Sequence, residues 1–162
     1  MSYRTIPAPE GRLEDIRFVS GYGKFTADLV PGDALHAVFL RSPFANGTLN
    51  HLDYSDAKKA PGVVAVLTAL DATEDGIANM IWTGGPVRDD GGITVDSPRP
   101  LLNGSEIRHL GEPLAMVIAT SKQAATDAVE LIELDIKASD TLALSVNDML
   151  DGPLVWPGTT DN

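Results

Sequence analysis

Residues 35–71 constrain the fold of this chain more than any other part of its sequence. Residues 35–41 carry apolar side chains at both alternating sets of positions, which is typical of a β-strand covered on both faces. Asn46-Gly47 follows as a strong short-range hairpin signal, because both residue types adopt positive φ at little steric cost. Residues 48–53 are predicted to form the second strand of that hairpin.

The same stretch continues with a helix and a third strand. Ser55 is a residue type that caps helices, and it predicts a short helix over residues 56–60 that ends at Pro61-Gly62. Residues 63–68 are apolar and mostly β-branched, so we expect a buried strand there. Residues 71–100 are rich in Gly, Asp and Pro, and they are predicted to form an irregular excursion on the surface.

Regular patterns return in the second half of the chain. Strands are predicted over residues 106–109, 114–119 and 132–137. Ser121 is predicted to cap a helix over residues 122–131, whose Ala-rich stripe should lie close against a sheet. A last helical turn is predicted over residues 146–150.

These elements predict an α+β fold. Strands and helices are mixed along the chain, and the strands predicted over residues 35–41 and 48–53 are expected to pair. This pattern favours a mixed sheet with a β-hairpin and two packed helices over a doubly wound parallel sheet. Three parts are predicted: an N-terminal arm and first strand (1–30, with the strand at 25–29), a main domain (31–150) and a linker-like tail (151–162).

Composition excludes several classes of function. A net charge of −11 over 162 residues argues against binding to nucleic acid or to an anionic membrane surface. The absence of Cys excludes thiolate ligation of an iron–sulfur cluster or of zinc, and it excludes disulfides. The N-terminal residues lack a signal-peptide pattern, so we expect a cytoplasmic protein.

No catalytic motif stands out in the sequence. The glycines around Lys24 do not have the spacing of a phosphate-binding loop. The histidines His36, His51 and His109 are not at metal-ligand spacing, and no Ser lies in a nucleophile elbow. We therefore predict no catalytic, cofactor-binding or metal-binding residue in this chain.

Two short segments are instead candidates for a partner interface. Glu112 lies between a Gly and a Pro where two predicted strands meet, so its carboxylate is expected to cap backbone N–H groups or to pair with an Arg rather than to act as a general acid or base. The segment after the strand predicted over residues 35–41 either only ends that strand or anchors a partner domain. The candidate interface residues are Arg41, Ser42, Pro43, Gly111, Glu112 and Pro113.

At these positions the sequence resembles the N-terminal α/β-hammerhead domain of the molybdenum-binding subunit in the xanthine dehydrogenase/aldehyde oxidase family. The resemblance covers about residues 12–158, and its pieces occur in the family's order. They are residues 12–21, 25–29, 31–37, 41–43, 61–68, 99–101, 107–108, 111–115, 128–130 and 152–158.

This resemblance implies a non-catalytic structural domain or subunit of a molybdenum hydroxylase, which docks on the molybdopterin-binding domain or subunit and frames its substrate channel. Molybdopterin, [2Fe–2S] clusters and FAD are implied for the full assembly, together with iron–sulfur and FAD subunits, and none is implied for this chain alone. The alternative is a stand-alone module that binds a small molecule or a protein and kept the fold without the enzyme.

Overall fold

The computed structural model describes residues 11–80, 99–141 and 152–156. Its contacts divide the chain into two units, Met1–Ala34 and Leu35–Asn162. The described part of the first unit contains helix α1 (Asp15–Val19) and a 3₁₀ helix (Thr26–Leu29), and the rings of Phe18 and Phe25 stack with centroids 5.2 Å apart.

The strand predicted over residues 25–29 is wrong. The Asp28 carboxylate accepts a hydrogen bond from the Phe25 backbone N–H (2.8 Å), and the Asp28 N–H bonds to the Phe25 carbonyl (2.9 Å). These local bonds close a helical turn, which competes with extended backbone at this position.

The second unit contains six strands and two α-helices within its described residues. The strands are β1 (His36–Arg41), β2 (Gly47–Asp53), β3 (Val63–Thr68), β4 (Glu106–Ile107), β5 (Pro113–Ala119) and β6 (Glu133–Ala138). The α-helices are α2 (Ala69–Glu74) and α3 (Lys122–Val129), and Ala57–Lys59 form a 3₁₀ turn. The predicted α+β class is confirmed, as are the predicted strands near 63–68, 114–119 and 132–137.

The strands form two three-stranded sheets in the orders β1-β5-β3 and β4-β2-β6. Every strand pair that the structure describes is antiparallel, so the predicted mixed sheet is wrong. The predicted hairpin is also wrong, because β1 pairs with β5 whereas β2 pairs with β4 and β6. A strand partner far along the chain has replaced the local one.

Gly47 is required for a reason other than a hairpin turn. It lies within β2, between Ile107 of β4 and Ala138 of β6, and neither it nor Asn46 has positive φ. A Cβ at this position would lie 2.6 Å from the Lys137 carbonyl oxygen and 3.2 Å from the Ala138 Cα. The glycine thus permits close approach of β2 and β6.

The hydrophobic core lies between β5 and α3. Ala115, Val117 and Ala119 of β5 face the buried Ala125 and Ala128 of the helix, and these small side chains let the helix approach the sheet closely. The predicted cap is confirmed, since the Ser121 hydroxyl accepts a hydrogen bond from the Ala124 N–H (3.1 Å).

Strand β1 is covered on one face only, contrary to the prediction. Val38 and Leu40 pack on the core, whereas Ala37 and Phe39 are exposed on the opposite face. Pairing places Phe39 opposite Met116 and Ala37 opposite Ile118, and β3 adds Ala65 and Leu67 to the same face. We call this set (Ala37, Phe39, Ala65, Leu67, Met116 and Ile118) the outer apolar face.

Two further predictions need correction. The helix predicted over residues 56–60 is a three-residue 3₁₀ turn whose N-cap position is Asp56 rather than Ser55, and no side-chain hydrogen bond caps it. The excursion predicted over residues 71–100 begins later, since α2 occupies Ala69–Glu74. Residues 81–98 and the predicted turn at 146–150 lie outside the described residues. Within the described ranges, no helix combines the length and apolarity needed to cross a membrane.

We expect Gly47→Ala to lower the free energy of unfolding by about 1–3 kcal/mol, because the added methyl group would meet backbone atoms of β6. Denaturant unfolding measures this change. Gly32→Ala is the control, since a Cβ there meets nothing within 4 Å, and it should change stability by less than about 0.5 kcal/mol. Wild-type stability of Gly47→Ala would contradict the close approach of the strands.

The start of α2 makes stability depend on pH. Asp71 accepts hydrogen bonds from the Thr68 hydroxyl (2.6 Å) and the Thr68 N–H (2.7 Å), and these bonds lower the pKa of Asp71. A carboxyl group whose pKa is lower in the folded than in the unfolded state raises the free energy of unfolding at pH values above its unfolded pKa. This contribution is lost as the pH falls through the folded pKa.

We therefore expect Asp71→Ala to lower the free energy of unfolding by about 0.5–1 kcal/mol near neutral pH, with a difference from wild type that narrows as the pH falls below the unfolded pKa of about 3.9. Asp71→Asn is the matched control, because it keeps an acceptor oxygen and cannot titrate. Thermal unfolding across pH measures both. A difference between Asp71→Ala and wild type that stays constant as the pH falls below that unfolded pKa would contradict the role of the charge.

Candidate functional site

The two candidate interface segments meet at one end of the first sheet, where β1 ends and β5 begins. Because β1 and β5 are antiparallel, the end of β1 adjoins the start of β5, and Arg41 lies opposite Pro113 beside a bulge. The Ser42 N–H donates to the Glu112 carbonyl (2.8 Å), and the Gly111 N–H donates to the Ser42 carbonyl (2.9 Å). The structure thus brings together all six residues singled out in the sequence.

These six residues are not equally accessible. Ser42 and Glu112 are only 3% and 6% exposed, whereas Arg41 and Pro43 are exposed and Pro113 is half-buried. The Ser42 hydroxyl donates to the Phe44 carbonyl (2.8 Å) and accepts from the Phe44 N–H (3.0 Å). Ser42 and Glu112 therefore shape the junction, and Arg41 and Pro43 can touch a partner.

The Glu112 carboxylate organises the loop between β4 and β5. Its Oε1 accepts a hydrogen bond from the Asn103 amide (2.6 Å), and its Oε2 accepts one from the Arg108 backbone N–H (2.7 Å). His109 Nδ1 lies 3.7 Å from Oε2. The expectation that this carboxylate caps a backbone N–H is confirmed.

Asn103 is the second buried organiser, and sequence reasoning missed it. Its amide also donates to the Glu106 carbonyl (2.6 Å), its Oδ1 accepts from the Ser105 N–H (2.9 Å), and its own N–H donates to the Pro113 carbonyl (2.8 Å). The local sequence Asn-Gly-Ser is typical of a turn. Nothing in that local pattern indicated that the amide reaches Glu112.

A cleft of about 590 Å³ opens beside this junction. We call it the arginine cleft, because Arg41, Arg99 and Arg108 line it together with apolar and aromatic side chains and with His109 and Glu112. Its other lining residues are Phe39, Met80, Pro100, Leu101, Pro113, Val155 and Trp156. Sequence reasoning missed the cleft, since its arginines come from separate parts of the chain.

Contacts within the cleft hold two of the arginines in place. Arg41 donates from Nη1 to the Gly111 carbonyl (2.9 Å), and its guanidinium carbon lies 5.6 Å from the centre of the Phe39 ring. Arg108 donates from Nη1 to the Glu106 carbonyl (2.9 Å), and its guanidinium carbon lies 4.1 Å from the centre of the Trp156 ring. Both contacts to rings are within the range of a cation–π interaction.

Gly111 completes this geometry through its backbone. Its φ of +80° lies in the left-handed region, which side chains with a Cβ rarely adopt. The turn that this angle permits directs the Gly111 carbonyl to Arg41 and its N–H to Ser42. The glycine between β4 and β5 is therefore part of the candidate site.

A second cavity of about 610 Å³ lies between β2, α2 and residues 100–105. Leu49, Ile77, Leu102 and Leu114 are among its apolar lining residues, and His51 also lines it. Within the described ranges, no group of three or more His, Asp or Glu side chains is placed to hold a metal ion. Neither cavity therefore presents a metal-ligand set from these residues.

Comparison with known proteins identifies what the chain is similar to. A family model described as aldehyde oxidase and xanthine dehydrogenase, a/b hammerhead domain, matches residues 20–140. The nicotine 6-hydroxylase large subunit of Paenarthrobacter nicotinovorans is 31% identical over 153 residues, which are 93% of this chain and 18% of that protein. The carbon monoxide dehydrogenase large chain of Afipia carboxidovorans is 33% identical over 124 residues, which are 76% of this chain and 14% of that protein.

A solved structure supports the same assignment. Quinoline 2-oxidoreductase from Pseudomonas putida 86 matches with a TM-score of 0.78 and 32% sequence identity, over 90% of this chain and 18% of that chain. The hammerhead fold expected from the sequence is confirmed. The chain spans less than one fifth of each of these relatives.

We expect Glu112→Gln to lower the free energy of unfolding by about 1–3 kcal/mol. A Gln side chain has one acceptor oxygen where Glu has two, so either the Asn103 amide or the Arg108 N–H loses its buried acceptor. Glu106→Gln is the matched control, because that exposed side chain bonds only to Thr48 among the described residues. Denaturant unfolding that does not distinguish Glu112→Gln from wild type would contradict the structural role.

Proposed function

The chain belongs to the aldehyde oxidase and xanthine dehydrogenase a/b hammerhead family, and from this membership we propose that it is a non-catalytic structural part of a molybdenum hydroxylase. In this proposal it docks on a molybdopterin-binding domain or subunit and helps to frame the substrate channel. The observation that carries the proposal is the extent of the match to large subunits, which takes in 93% of this chain and only 18% of the nicotine 6-hydroxylase large subunit.

The donor groups of the chain support a non-catalytic role. The chain contains no Cys, so it has no thiolate to ligate a [2Fe–2S] cluster. Among the described residues, the buried carboxylate is that of Glu112, which accepts hydrogen bonds from Asn103 and Arg108 in the wall of the junction. Molybdopterin, [2Fe–2S] clusters and FAD are therefore proposed for the assembly, on the molybdopterin-binding partner and on iron–sulfur and FAD subunits, in a cytoplasmic enzyme.

The surface around the junction supports docking. The outer apolar face presents Phe39 as an exposed side chain, with Leu67, Met116 and Ile118 half-buried beside it. Arg41 and Pro43 are exposed at the end of the same sheet. An apolar surface rimmed by polar groups is typical of a protein–protein contact, and we propose that the partner covers it.

The cavities support a second candidate function, a stand-alone binding module. Volumes of about 590 and 610 Å³ are within the range of small-molecule pockets. In this alternative, the chain keeps the family fold and binds a small ligand without an enzyme partner. The large-subunit relatives favour docking, and recovery of the native complex separates the two.

We expect the affinity-tagged chain, purified under native conditions from its source cells, to be recovered with a molybdenum-containing polypeptide. The chain separated from that polypeptide should contain no stoichiometric molybdenum, because it has no Cys and because no group of three or more His, Asp or Glu among the described residues is placed to hold a metal ion. Mass spectrometry identifies the partner and elemental analysis measures the metal. The control is the same purification from cells with the untagged chain.

Two results would overturn the proposal. Stoichiometric molybdenum on the isolated chain would show that the chain itself holds the cofactor. Recovery of the chain alone, with a tightly bound small molecule, would instead support the binding module.

A further inference from the structure

We infer that the arginine cleft receives an acidic and partly apolar segment of the partner polypeptide. This inference rests on the proposed docking function and adds the chemistry of the segment that docks. The geometry points to carboxylate side chains on that segment, which Arg41 and Arg108 bind, and to apolar side chains that rest against Phe39 and Trp156.

The charge of the cleft is opposite to that of the whole chain. The chain has 23 Asp and Glu against 12 Lys and Arg, yet three of those 12 basic residues line this one cleft. Among the described lining residues, the carboxylate is that of Glu112, which is 6% exposed and accepts hydrogen bonds from Asn103 and Arg108. A positive cleft in a chain of net charge −11 attracts an acidic segment and repels a basic one.

The arginines are oriented before any partner binds. Each guanidinium carries five N–H donors, and the bonds from Nη1 of Arg41 to Gly111 and from Nη1 of Arg108 to Glu106 each use a single donor atom. The ring contacts to Phe39 and Trp156 further restrict both side chains. An oriented guanidinium loses less entropy when it binds a carboxylate through two parallel hydrogen bonds.

The apolar lining favours a polypeptide over a phosphate group. Phe39, Met80, Leu101, Val155 and Trp156 line the same cleft as the arginines. Phe39 also belongs to the outer apolar face, so the cleft and the proposed docking surface are continuous. A segment with carboxylate and apolar side chains satisfies both parts of this lining, whereas a phosphate satisfies the arginines only.

The test measures the affinity of the purified chain for the molybdenum-containing polypeptide recovered with it. We expect Arg41→Gln to weaken binding about tenfold, and Arg41→Lys to weaken it less because the charge remains. Raising the salt concentration should weaken wild-type binding more than binding by Arg41→Gln. Lys137→Gln, which removes the same charge from the exposed β6 side chain, is the control and should change affinity less than about twofold.

A competition experiment identifies the class of ligand. Hexaglutamate should compete with the partner, whereas hexalysine and inorganic pyrophosphate at matched ionic strength should not. Arg108→Gln is a second variant that removes one positive charge from the cleft. Denaturant unfolding verifies that each variant is folded. Competition by pyrophosphate as strong as that by hexaglutamate would overturn the polypeptide assignment.

Failure of this inference is distinguishable from failure of the proposed function. Suppose that the partner binds wild type, Arg41→Gln and Arg108→Gln with equal affinity and without salt dependence. The inference of an acidic segment is then overturned, and the proposed docking function stands. If no molybdenum-containing polypeptide binds the wild-type chain, both are overturned.

Discussion

Strand β1 pairs with β5 in antiparallel register from His36 opposite Ala119 to Arg41 opposite Pro113, and the rest of the candidate site is built on this pairing. It places the segment that leaves β1 beside the segment that enters β5, although the two are far apart in sequence. Backbone hydrogen bonds between Ser42, Gly111 and Glu112 then fix the junction. The pairing also determines that Phe39 and Met116 share a face away from α3. Without this register, the arginine cleft and the outer apolar face would not adjoin each other.

Burial of the Glu112 carboxylate gives the junction its shape. An ionised carboxylate is costly to bury unless hydrogen bonds compensate for the lost water, and here the Asn103 amide and the Arg108 N–H provide them. The same arrangement holds Arg108, whose guanidinium then lies against Trp156. Both oxygens of the carboxylate are thereby bonded to the loop, while arginines line the same cleft beside it. In our proposal, this arrangement lets a strongly acidic chain present a positive surface to a partner.

Features set by neighbouring residues could be predicted from the sequence. The Ser121 cap, the β-branched β3 strand and the capping of a backbone N–H by Glu112 all follow from local chemistry. Errors arose where distant residues determine the outcome. Asn46-Gly47 has the composition of a hairpin turn, but the approach of Lys137 and Ala138 explains the glycine. Likewise, Asn103 binds Glu112 through a folded loop, and Arg41 meets the Gly111 carbonyl only because β1 and β5 pair. Local patterns carry no information about such contacts.

In the account that we propose, this chain supplies a shaped docking surface and its partner supplies the redox chemistry. Hydrogen–deuterium exchange, compared between the isolated chain and the recovered complex, tests this account most directly. It predicts slower exchange in the complex at residues 37–41, 108–112 and 154–156, with exchange in α3 unchanged, because α3 lies on the opposite face of the sheet. Slower exchange confined to α3, with no change around the arginine cleft, would contradict it.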